Sequence, residues 1–372
     1  MRIINPLLET HVAFAASEEY PYSLEGLVLP VNDQELIMTF TTGGTFEPSP
    51  DNFTGITRSH DGGITWDKMQ PLFRHSTKGL FTSTVCQNNG VIRAYLNTYR
   101  TETNWAEDVQ SYFSESYDGG KTFSVPRSLP GCINNVHIKQ AVTIGNKLLL
   151  PFSWREIDGA QWCHPLPVNT GKIPMVNGHV SEQRYISTEG EARLLYREGY
   201  FKWALENTHE YIGVLITEDN GKTYRIAGKL FDDRYGRVFC EPTLTALRDG
   251  TLLMYIRCND NKILLESRSY DNGETWSEMK PLDLPTPITK VRLYTRSNGD
   301  VLLLHNPSTE RRSPLSLWIS HDNTETWSEK YDLVIDDELP LAYPDGYIDE
   351  KNNCLCFAWE DRHNIYFSKW RF

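Results

Sequence analysis

A tyrosine, two glutamates, an aspartate and two arginines stand at matching places in successive units of roughly fifty residues. Glu241 begins the first strand of its unit and Arg257 ends the second. Arg312, preceded by Arg311, follows the second strand of the next unit. Tyr343 opens the first strand of the last unit and Glu360 ends its second, while Asp51 lies in the corresponding loop of the first unit. Residues at equivalent strand ends of a ring of repeats converge at one mouth. Their types suit one kind of chemistry. A tyrosine next to a glutamate that takes its proton is a nucleophile. Arginines clamp a carboxylate through paired N–H donors. A loop aspartate protonates a leaving oxygen and then activates water.

The elements that must position these groups announce themselves by repetition. Ser59-His-Asp-Gly-Gly-Ile-Thr-Trp66 recurs as Ser116 to Phe123, Thr217 to Tyr224, Ser269 to Trp276 and Ser320 to Trp327. In each copy a strand ends at Ser or Thr and the Asp side chain caps the turn. Glycine, where present, takes the left-handed conformation, and Thr with an aromatic opens the next strand, which makes a β-hairpin. The aspartates are separated by 57, 101, 52 and 51 residues. That period fits a four-stranded propeller blade. The double gap contains residues 156–208, whose strand periodicity is weak, and is read as an insertion in the third unit. The last unit has no box and shows three strands, so a fourth from the N-terminus would close the ring and leave no free edge. The expectation is a single all-β domain over residues 1–372, a six-bladed β-propeller with Asp-box hairpins. Seven blades is the alternative if the insertion is a blade of its own.

Composition narrows the partners. The net charge of −12 without a basic cluster argues against nucleic acid. No apolar run is long enough to span a membrane. Seven cysteines, an odd and scattered set, read as reduced thiols, with Cys354 and Cys356 on one face of a strand. Glu9 and His11 interrupt what would be the apolar part of a signal peptide, so a cytoplasmic protein is expected, a secreted form with a trimmed leader being the alternative. No metal or cofactor is implied.

The five boxes resemble the Asp-box (BNR) repeat of the sialidase-like β-propellers, and the resemblance runs across nearly the whole chain. It implies that the boxes are structural, out on the rim. The region from Glu241 to Trp276 resembles the stretch that runs from the nucleophile's Glu partner to an arginine of the carboxylate-binding triad, which makes Glu241 the partner and Arg257 a triad arginine. The segment His305 to Ser320 resembles the one with another triad arginine, which selects Arg312. Ala342-Tyr-Pro-Asp345 resembles the segment of the nucleophilic tyrosine, Asp51 the acid/base aspartate, and Glu360 falls where members of the family carry a glutamate. The chain departs from the family at its first strand. Tyr22-Ser-Leu-Glu-Gly-Leu-Val-Leu-Pro30 lacks the arginine of the Arg-Ile-Pro triplet and puts Glu25 near its place. His137 and Arg155 are candidates to supply charge there. The implied function is retaining, exo-acting hydrolysis of a terminal acidic sugar other than ordinary sialic acid, through Tyr343, with carbohydrate as partner. The alternatives are a propeller polysaccharide lyase acting on uronate-containing glycans and a non-catalytic carbohydrate-binding propeller.

Overall fold

Strand-forming runs divide the chain into six antiparallel sheets arranged as the blades of a propeller. The computed structural model describes residues 1–99, 110–130, 136–157, 175–176, 179–180 and 208–372. The first blade runs outward through Ser23–Pro30, Leu36–Thr42, Phe53–Ser59 and Gln70–Phe73, and the second through Gly79–Asn88, Val91–Tyr99, Gln110–Ser116 and Arg127–Ser128. In the third, Val136–Ile138 and Val142–Ile144 line one side of Lys147–Ile157, followed by Thr208–Thr217 and Arg225–Leu230. The fourth comprises Phe239–Ala246, Leu252–Cys258, Ile263–Ser269 and Lys280–Pro281. The fifth comprises Arg292–Thr295, Val301–His305, Leu315–Ser320 and Glu329–Ile335, with Arg2–Ile3 on its outer edge. The sixth is closed as expected: Ala342–Asp349, Cys354–Glu360 and Ile365–Arg371 receive Leu8–Phe14 as their fourth strand.

Six blades, not seven, follows from the third sheet. Lys147–Ile157 pairs directly with Thr208–Thr217, from Leu148 opposite Thr217 to Ile157 opposite Thr208. The intervening segment therefore joins two neighbouring strands of one blade. Apart from a two-stranded pairing of Met175–Val176 with His179–Val180, the insertion read at 156–208 lies outside the described residues.

The second strands of the first and sixth blades are covered on both faces. Leu36–Thr42 and Cys354–Glu360 are buried at every position. The core is accordingly divided among the blade interfaces. Leu302, Leu304 and Leu317 of the fifth blade pack on Leu355, Phe357 and Trp359 of the sixth. Met38 and Phe40 of the first blade pack on Ala358, Ile365 and Phe367 of the sixth. The centre is left for polar groups.

The boxes lie in the turns between third and fourth strands. Asp118 Oδ1 accepts the Thr122 N–H at 2.9 Å, Oδ2 accepts the Thr122 hydroxyl at 2.6 Å, and Ser116 Oγ donates to Oδ1 at 2.8 Å. Asp61, Asp219, Asp271 and Asp322 make the same set. These donors favour the carboxylate, hydrogen bonds from the Thr being the leading cause, so Asp219, Asp271 and Asp322 are lowered to about 2. Gly63 adopts φ 98° directly over the Phe367 ring of the sixth blade; a Cβ there would lie 2.1 Å from the ring.

Candidate functional site at the propeller axis

Three inner strands carry the same irregularity. The ladder shifts register between Leu24 and Leu27, between Cys240 and Thr243, and between Ala342 and Asp345. At each shift stands a non-glycine residue in the left-handed region: Glu25 at φ 54°, Glu241 at φ 51° and Tyr343 at φ 53°. A bulge of this kind re-aims one side chain out of the alternating pattern. Left-handed backbone at a non-glycine residue costs about 1–3 kcal/mol and persists only where the surroundings enforce it.

The groups from the fourth and sixth blades meet. Arg257 Nη1 donates to Glu241 Oε2 at 2.5 Å and lies 3.5 Å from the Tyr343 hydroxyl. Arg257 Nε is held by Asn259 Oδ1 at 2.7 Å. The Tyr343 ring has the Arg312 guanidinium 5.2 Å from its centre and Lys290 Nζ at 5.5 Å. Burial, then the Glu241 charge, pushes the Tyr343 hydroxyl up, and Arg257 and Arg312 oppose this only in part. The resting residue is a neutral phenol. Burial alone would raise Glu241, but Arg257, Lys139 and Lys290 bring it down to about 2. Glu241 is therefore a carboxylate.

Under this pair lies a floor of buried charges absent from the sequence-based site. Glu25 Oε1 accepts from Lys139 Nζ at 3.1 Å and from Lys290 Nζ at 3.2 Å. Lys290 also lies 3.5 Å from Asp345 Oδ2, which takes the Arg292 Nε–H at 2.7 Å. Three cations and two anions thus interlock across the first, third, fifth and sixth blades. Two lysines thus pair with Glu25, the residue near the place of the arginine that the first strand lacks. Arg292 and Asp345 lie within inner strands, whereas Lys139 directly follows Val136–Ile138 and Lys290 stands two residues before Arg292–Thr295.

A second acidic group lies beside the floor. Glu360 is buried and its Oε2 accepts the Glu25 main-chain N–H. Burial raises Glu360 well above the usual carboxylate range; the Glu25 N–H opposes this, and the charges of Glu47 and Glu25 add to the rise. Glu47 is raised too, first by burial and then by Glu25, while Tyr22 and Arg362 draw it down. Asn52 holds that loop together, its Nδ2 donating to Gly43 O at 2.5 Å and its Oδ1 accepting from Ser49 N at 2.6 Å.

The remaining expected residues are placed as follows. Arg312 donates to Ile288 O at 3.0 Å and faces Tyr343, whereas Arg311 turns outward to Asp337. Asp51 is exposed, its N–H directed at Ser49 Oγ (3.3 Å), and the carboxylate of that loop that faces Glu25 and Arg312 is Glu47. His137 is buried with Nδ1 2.8 Å from the Tyr99 hydroxyl, in the second blade. Arg155 pairs through its backbone with Glu210, and its side chain lies outside the described residues.

Six blades, three of them bulged at the axis where a tyrosine, a carboxylate and arginines meet, make a sialidase-like propeller. The chain belongs to the BNR repeat-like domain family, whose model matches residues 35–353. Among curated proteins it is similar to the anhydrosialidase of Macrobdella decora, 26% identical over 191 residues, which is 49% of this chain and 23% of that protein. The chain therefore matches only about a quarter of that relative's length. Among solved structures it is similar to a Dyadobacter fermentans protein of unknown function (TM-score 0.70, 14% identity, 98% of this chain and 99% of that one). It is also similar to Trypanosoma rangeli sialidase in complex with sialic acid (TM-score 0.66, 15% identity, 98% of this chain and 59% of that one). At these identities the structural likeness speaks for the fold.

Proposed function

We propose that the protein is a retaining exo-glycosidase that removes a terminal acidic sugar other than ordinary sialic acid. The observation that carries this reading is Arg257 standing between Glu241 and the Tyr343 hydroxyl, with the Arg312 guanidinium 5.2 Å from the centre of the ring. In the resting site Arg257 is occupied by Glu241, and Tyr343 keeps its proton. A substrate carboxylate entering against Arg257 and Arg312 would draw Arg257 away from Glu241. Glu241 would then gain proton affinity and could take the Tyr343 proton as the phenolate oxygen attacks the anomeric carbon. A neutral nucleophile avoids repulsion by the substrate's own carboxylate. Departure of the aglycone needs a proton from the loop above, the role expected of Asp51. Water, giving its proton to that same loop group, then attacks the anomeric carbon from the face the aglycone left; the tyrosine oxygen departs and takes its proton back from Glu241, and the configuration is retained.

The test is turnover of aryl glycosides of sialic acid, 2-keto-3-deoxy sugars, uronides and neutral hexoses, with ultraviolet absorbance followed on uronate polymers. Hydrolysis of one acidic glycoside is expected, and Tyr343→Phe should reduce it by at least about a thousandfold with the circular dichroism unchanged. Unchanged turnover in that variant would remove Tyr343 from the mechanism. Rising absorbance without hydrolysis would make the protein a lyase instead. The exposure of Asp51 favours a second reading, sugar binding without turnover; binding of a glycan with silence across the panel would establish it. Asp51→Asn and Glu47→Gln, assayed separately, identify the proton donor: the loss should follow Asp51, and loss in Glu47→Gln alone would transfer the role.

A further inference from the structure

The inner strand that begins with Tyr343 ends at Asp349, and the second strand of the same blade begins at Cys354. Antiparallel register sets Asp349 opposite Cys354 and Tyr347 opposite Cys356. Cys354 and Cys356, two apart on one strand, present their sulfurs to the same face. Both are buried, at 4% and 1% exposure. Their Sγ atoms lie 3.6 Å apart, and a carboxylate oxygen of Asp349 completes a group whose ligand atoms all lie within 4.8 Å of one another.

We propose that Asp349, Cys354 and Cys356 form a binding site for a thiophilic divalent metal ion of the zinc type. Two thiolates at about 2.3 Å from a tetrahedral zinc stand about 3.8 Å apart. The cysteine pair already has nearly that spacing. Two positions along an extended strand are about 6.6 Å apart at Cα, at the outer limit for a disulfide; the pair is therefore better set for ligation than for oxidation. The carboxylate is held in place by its neighbour, Asp349 Oδ1 accepting the Asn352 N–H at 3.0 Å and Oδ2 the Asn352 amide at 2.8 Å. Such outer partners fix the direction of a ligand. Lys369 and Arg371 of the adjacent strand bring positive charge to the thiols. Two thiolates and a carboxylate on a divalent ion carry one net negative charge; with Glu9, which lies 3.6 Å from Arg371 and opposite Lys369, that makes two, which the two cations balance. Three protein ligands leave the fourth position to water.

The site is separate from the proposed hydrolytic centre. Six residues of strand, about 20 Å, separate Asp349 from Tyr343. A metal here ties the hairpin joining the first two strands of the ring-closing blade. Its expected consequence is stability of the folded chain.

The experiment is titration of the full chain with cobalt(II) under a non-thiol reductant. One equivalent should produce thiolate-to-cobalt charge-transfer absorption in the near ultraviolet and intense visible bands of tetrahedral cobalt. Zinc should abolish both, and should raise the melting temperature reversibly with chelator. Cys354→Ser and Cys356→Ser should each lose the charge-transfer band by half or more. Asp349→Asn, the variant least disturbing to the core, should weaken cobalt binding about tenfold or more. Absence of the bands in a folded wild-type chain would overturn the proposal, as would their persistence in a folded Cys354→Ser/Cys356→Ser double variant. Recovery of a Cys354–Cys356 disulfide that resists the reductant would also overturn it.

Discussion

Glu25 shows how far a single residue's meaning depends on its neighbours. From its type alone it opposes an anionic ligand. In the fold it neutralises Lys139 and Lys290, which are almost fully buried. Removing one member of such a cluster leaves uncompensated buried charge and costs about 3–5 kcal/mol. Glu25→Ala should therefore lower the urea midpoint strongly, and a midpoint equal to wild type would show that the floor is solvated. Glu241 gives a pH signature. Its folded value of about 2 lies below the unfolded value near 4.5, so its contribution is complete above pH 5 and is lost as pH falls toward 2. The contribution is about 3 kcal/mol. Denaturant titrations of Glu241→Gln should show a shallower loss of stability between pH 5 and 2 than wild type, and parallel curves would contradict the assignment. At this scale the sequence reveals Tyr343, Glu241 and Arg257 because each sits at a recognisable strand end. It conceals the floor because Glu25 meets Lys139 and Lys290 across 114 and 265 residues of chain.

At the scale of elements, two devices recur: the Asp box on the rim and the bulge at the axis. The boxes are legible because all their hydrogen bonds are local, within four residues. The bulges are not, because nothing in Leu24-Glu-Gly or Cys240-Glu-Pro states that the backbone turns left-handed there. The difference between local geometry and packing can be measured with two glycines. Gly250 has φ 88° and nothing within 4 Å of an added Cβ, whereas Gly63 has φ 98° and the Phe367 ring in the way. Gly250→Ala should cost only backbone strain, about 1 kcal/mol. Gly63→Ala should lower the melting temperature further, and equal losses would mean that the Phe367 ring moves aside freely. The same reasoning extends to Asp118→Ala, which leaves the Thr122 N–H and hydroxyl without their acceptor and should lower the melting temperature.

For the whole molecule, the number of blades was legible from five boxes and a boxless sixth unit, because period survives where individual contacts do not. The insertion broke the period, and direct pairing of the strands on either side of it was needed to exclude a seventh blade. Closure rests on Leu8–Phe14 lying against Ile365–Arg371, from Leu8 opposite Trp370 to Phe14 opposite Ile365. Deleting residues 2–14 should expose that last strand as an open edge. Size-exclusion chromatography should then show association and thermal unfolding should broaden; a monomer with a sharp transition would mean that three strands suffice. The arrangement also sets an order of events during protein synthesis. Thr10 precedes its partner Ser368 by 358 residues. At about 5–20 residues per second, that strand waits roughly 20–70 s outside the ribosome. The nascent chain is an open arc throughout that time, and emergence of Ile365–Arg371 from the ribosomal tunnel is the step that makes it a ring.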